Sequence, residues 1–79
     1  MTLDLAILNI ILGGSRAMNA GQISGFLPAF TAVEATVADV ENRLTVLSRE
    51  GYVTGTGTKD KGMVWLLTPE GNLRVHQAR

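Results

Sequence analysis

The chain changes character at Gly51. Before it, Val37, Val40, Leu44 and Leu47 recur at 3, 4, 3 spacing, the mark of a helix with one buried face. After it come two β-prone runs, Tyr52-Val53-Thr54 and residues 63–67. Glycines, threonines, Lys59, Asp60 and Lys61 separate the two runs. The pattern predicts a helix over 37–50, a left-handed Gly51 that closes it, and a two-stranded hairpin with a long polar tip over 54–62. Two starts compete for the helix. Thr36 with Asp39 and Thr31 with Glu34 both have capping-box spacing, and the earlier start adds Val33 to the stripe.

Upstream, Thr2 is a competent N-cap, Asp4 suits the positive end of a helix dipole, and Gly13-Gly14 is a stop, so a first helix is expected over 2–12. At 100° per residue Leu3, Ile7, Ile10 and Ile11 share one face and Leu5, Leu8 and Leu12 another. A helix apolar nearly all round is buried on more than one side. A small domain is expected to cover only one of these faces and a second copy of the chain the other; Leu5, Leu8 and Leu12 are the candidate interface of a homodimer, although the pattern alone does not decide between this face and that of Leu3, Ile7 and Ile11. A second helix is expected from Asn19, with Ile23, Phe26 and Leu27 as its core stripe, stopped by Pro28. Thr68-Pro69-Glu70 opens a short last helix, with Leu73 and Val75 facing inward. Trp65 is expected in the core and His76 on the surface.

With 79 residues the chain is expected to be one domain, residues 1–79. It has no cysteine and one histidine, which leaves no basis for a disulfide scaffold, a thiol nucleophile or a multi-histidine metal site. No nucleophile–base pair is visible, and Gly13-Gly14-Ser15-Arg16 lacks the lysine of a phosphate loop. No enzymatic activity, cofactor or metal is therefore expected. Residues 3–12 have no preceding Lys or Arg and are too few to span a bilayer, which takes about 20 residues. The expectation is a cytoplasmic protein with no membrane partner.

The stretch Val40-Glu41-Asn42-Arg43-Leu44-Thr45-Val46-Leu47-Ser48-Arg49-Glu50-Gly51-Tyr52-Val53 resembles the recognition helix and first wing strand of winged helix-turn-helix regulators. Trp65-Leu66-Leu67-Thr68-Pro69-Glu70-Gly71 is similar to the end of the wing in MarR-like and PadR-like members. The resemblance covers roughly residues 19–74. It implies a mainly α fold with a small β-hairpin: a three-helix core, a two-stranded wing and a short C-terminal helix. It also implies a small dimeric transcriptional regulator whose partner is double-stranded DNA. In such a fold the second helix of the pair lies in the major groove, here the helix 37–50. Its face opposite the stripe carries Ala38, Asn42, Thr45 and Arg49. Small Ala38 permits close approach, Asn42 suits adenine, Thr45 a base or phosphate, and Arg49 a phosphate. Lys59 and Lys61 at the hairpin tip suit the DNA backbone. Charge argues the other way. Residues 36–62 hold four basic side chains (Arg43, Arg49, Lys59, Lys61) and four acidic ones (Asp39, Glu41, Glu50, Asp60). The alternative is a winged-helix module for protein–protein contact.

Overall fold

The structure, a computed structural model, describes residues 1–14, 16–60 and 62–77. Four helices and a hairpin follow in order: α1 (Leu3–Gly13), α2 (Ala20–Phe26), a 3₁₀ turn (Leu27–Ala29), α3 (Val37–Arg49), β1 (Val53–Thr58), β2 (Gly62–Leu67) and α4 (Pro69–Gln77).

Local capping chemistry starts the first three helices. The Thr2 hydroxyl accepts from the Leu5 N–H at 3.3 Å. Asn19 and Gln22 form a reciprocal capping box at the start of α2. Thr36 and Asp39 do the same for α3, which settles the competition between its two starts. Thr31 is occupied elsewhere: its hydroxyl donates to the Met1 carbonyl at 2.7 Å and accepts from the Val33 N–H.

α1 is the centre of the molecule. It packs against α2, α3, α4, the 3₁₀ turn and β2. Ala6, Ile7, Leu8, Ile10 and Ile11 are all buried, each large one worth roughly 1.5–3 kcal/mol. This corrects the expected free face. Leu8 is 1% exposed within a single chain, so it belongs to this domain's own core. Leu5 and Leu12 stay half-buried. The other elements surround α1 from several sides, and one small domain covers most of its circumference.

Three other apolar assignments also change. Val40, Leu44 and Leu47 are buried, but Val37 is 43% exposed because it lies about 60° around the helix from Val40, at the open first turn. In α2 the core contacts are Ile23 and, beyond it, Leu27, whereas Phe26 is exposed beside Phe30 at a hollow walled by Ile10, Gly13, Gly14 and Met18. In α4, Val75 is buried and Leu73 is exposed, since residues two apart on a helix face nearly opposite ways.

Gly51, at φ 87°, ends α3; its N–H donates to the Ser48 carbonyl, and the Tyr52 N–H reaches back to Leu47 at 2.9 Å. β1 and β2 then pair antiparallel from Val53 with Leu67 to Thr58 with Gly62. The regular strands run further than expected, so the tip shortens to the residues between Thr58 and Gly62. Met18 pairs with Trp65 through two backbone hydrogen bonds, which fixes the hairpin to the segment between α1 and α2. Thr68 links the two ends of this unit: its hydroxyl donates to the Gly51 carbonyl at 2.6 Å and accepts from the Gly71 N–H at 3.1 Å. Gly71 is buried against the Tyr52 carbonyl, so closely that a Cβ would overlap it. No helix among the described residues is long and apolar enough to cross a membrane.

Candidate nucleic-acid interface

With Val40, Leu44 and Leu47 turned into the core, α3 presents Ala38, Asn42, Thr45 and Arg49 on its outer face, and all four are exposed. Among the described residues, the side chains of Asn42 and Arg49 make no hydrogen bond or ion pair. The Thr45 hydroxyl donates to the Glu41 carbonyl at 3.0 Å. Its proton is thus committed to its own helix, and toward solvent it offers oxygen lone pairs and a methyl group.

A groove of about 360 Å³ runs beside this face. Glu41 and Thr45 of α3 form one wall, Asn19, Ala20 and Gly21 at the start of α2 another, and Gly62, Met63 and Trp65 of β2 the third. The hairpin therefore stands along the outer flank of α3. Trp65 is anchored in the core, while Met63, two residues along on the same strand face, is 47% exposed at the rim. Lys59 is exposed at the hairpin tip; Lys61 lies outside the described residues.

Two of the charges counted in the sequence, one of each sign, are committed to contacts within the fold. Arg43 Nε and Nη2 donate to Oδ1 and Oδ2 of Asp4, each at 2.7 Å. Hydrogen bonding to Asp4, and then its negative charge, raise the Arg43 pKa above the ordinary guanidinium value. Arg43 is thus tied to α1 and is not an unpaired cation of the outer face. Asp39 is committed as well: its carboxylate accepts from the Thr36 N–H at 2.9 Å, at the positive end of the α3 dipole. Arg49 and Lys59 are the described cations left on this side of the molecule. No group of three His, Cys, Asp or Glu side chains suited to a metal ion occurs among the described residues.

No protein-family model and no curated protein matches the chain. Solved structures do. Bacillus subtilis PadR, in a crystal structure with operator DNA, superimposes with a TM-score of 0.77 at 25% sequence identity, over 96% of this chain. The fold is a winged helix. The match covers 45% of the PadR chain, so this chain spans less than half the length of that neighbour. Within the winged helix, α2 and α3 are the helix-turn-helix pair and β1–β2 is the wing.

The winged helix places Thr45 at the groove beside the wing, and Ala38, Asn42 and Arg49 along the same outer side of α3. Sequence reasoning missed the groove's other walls. Met63 shares a strand face with Trp65, a signal that was available; the approach of Asn19–Gly21 had none, because it depends on how α2 packs. It also missed the Asp4–Arg43 pair, whose members are 39 residues apart.

Proposed function

We propose that this winged helix is the DNA-binding part of a transcriptional regulator, with α3 entering the major groove and the wing lying along the phosphate backbone. The observation that carries this reading is the superposition on PadR in complex with operator DNA, which spans both α3 and the wing. Asn42 makes a bidentate contact to adenine, and Thr45 accepts from an exocyclic amine or meets a thymine methyl. Ala38 lets the start of the helix approach the bases. Arg49, Lys59 and Lys61 neutralise phosphates, a term that carries affinity but no sequence preference. The reading assigns the protein no catalytic role and puts its work in the cytoplasm, alongside the DNA. Two copies bind adjacent half-sites, and the open strip of α1 at Leu5 and Leu12 contributes to their contact.

Selection from a random duplex library, followed by fluorescence anisotropy on the enriched sequence, tests the proposal. Asn42→Ala should lose about 1–3 kcal/mol on the enriched duplex and almost nothing on a scrambled one. Arg49→Ala should weaken both duplexes alike and lower the salt slope by roughly one. Failure to enrich any sequence, together with no duplex binding at low salt, would reject DNA recognition. It would leave the protein-docking reading, which the balanced charge favours.

A further inference from the structure

We infer that Asp4 is a positioning residue for the reading helix: by gripping Arg43 at two points it fixes the roll of α3 on α1, and with it the direction in which Asn42 and Thr45 point. The inference rests on the DNA-reading role of α3 proposed above. The core contacts of α3 are the aliphatic side chains Val40, Leu44 and Leu47. Apolar contact is non-directional, so such a stripe holds a helix down more firmly than it holds it at one angle. A bidentate guanidinium–carboxylate pair is directional, because its two parallel N–H···O bonds lie in one plane. Here both bonds are 2.7 Å, and they join the first turn of the central helix to the flank of α3, one residue from Asn42. This is the salt bridge found among the described residues. With side chains 39% and 35% exposed it is too solvated to contribute much stability. What it supplies is orientation.

Asp4→Asn keeps the shape and removes the charge; Arg43→Lys keeps the charge and removes the planar fork. Three readouts are taken on each and on the wild type: thermal midpoint, preference for the enriched over the scrambled duplex with its salt slope, and backbone residual dipolar couplings of the free protein. Positioning predicts that both variants melt within a few degrees of the wild type. Both should lose about threefold to fivefold in duplex preference at unchanged salt slope, the most that a solvated pair can bias. In both, the α3 couplings should depart from the wild-type orientation while those of α1, α2 and α4 hold. Asp4→Asn binding both duplexes more tightly, with a salt slope steeper by about one, would overturn the inference: Arg43 would then be a phosphate contact that Asp4 withholds. Unchanged α3 couplings in both variants would overturn it too. If the wild type prefers no duplex, DNA reading itself fails, and the couplings alone decide whether the pair sets the angle of α3.

Discussion

Gly71 and Gly25 are both helical glycines, and their surroundings set opposite expectations. In an isolated helix either one replaced by alanine would gain about 1 kcal/mol. At Gly25 nothing lies within 4 Å of an added Cβ, so Gly25→Ala should stabilise the domain by about 0.5–1 kcal/mol. At Gly71 the Cβ would overlap the Tyr52 carbonyl and sit 2.8 Å from Leu67 Cδ1. Backbone cannot swing aside as a flexible side chain can. Gly71→Ala should therefore destabilise by roughly 1–3 kcal/mol despite its better propensity. Urea midpoints of the two variants check the pair, and a stabilised Gly71→Ala would mean that α4 does not dock on Tyr52 as described. The contrast is invisible in sequence, where both read simply as glycine.

Each helix start was readable to the degree that its capping partner lies within a turn of it. Thr2, Asn19, Thr36 and Thr68 all bond to an N–H three residues on, and all were legible as caps. The choice between Thr31 and Thr36 was not, because both have capping-box spacing; in the fold the Thr31 oxygen accepts from the Val33 N–H two residues on, and its proton goes to the Met1 carbonyl 30 residues away. Thr36→Ala should therefore cost about 1 kcal/mol, a Tm drop of roughly 4–8 °C for a domain of this size. Glu34→Ala, which would break the rival box, should leave the Tm within a degree or two. Differential scanning calorimetry on the two variants separates these outcomes. The length of β1 was hard to read for a related reason. Gly55 and Gly57 are weak strand formers, but Trp65 and Met63 of β2 pack over Gly55 and cover the gap.

For the whole molecule, the decisive quantities are charge and the number of copies. Each neutralised phosphate contributes about 0.9 to the slope of log affinity against log salt. If Arg49, Lys59 and Lys61 each neutralise a phosphate, as proposed, the slope should be near 3 for one copy on DNA and about 5 for two. Counting Arg43 as a phosphate contact would raise these to about 4 and 7. A titration between about 50 and 200 mM salt distinguishes the cases, and sedimentation of the complex gives the copy number independently. A slope near 7 with two copies bound would show that Arg43 leaves Asp4 on DNA. If two copies bind as proposed, their contact must extend beyond α1. Stable interfaces bury about 1,200–2,000 Å² in total, and with Leu8 buried in its own domain, Leu5 and Leu12 make a narrow strip.

Sequence was sufficient wherever cause and effect lie within a few residues. The 3, 4, 3 spacing into Gly51, the caps and the switch to alternating strands gave the element order, because helix periods, capping bonds and left-handed glycine are local physics. The outward face of α3 followed from the same periodicity. Whether an apolar residue met this chain's own core or a partner was not local. Leu8, Val37, Phe26 and Leu73 each went the other way once helices packed around α1. Nor was the pairing of Arg43 with Asp4, which ties up one of the four cations counted over residues 36–62. Burial and ion pairing depend on which surfaces meet in space, and here that meeting was arranged by tertiary packing.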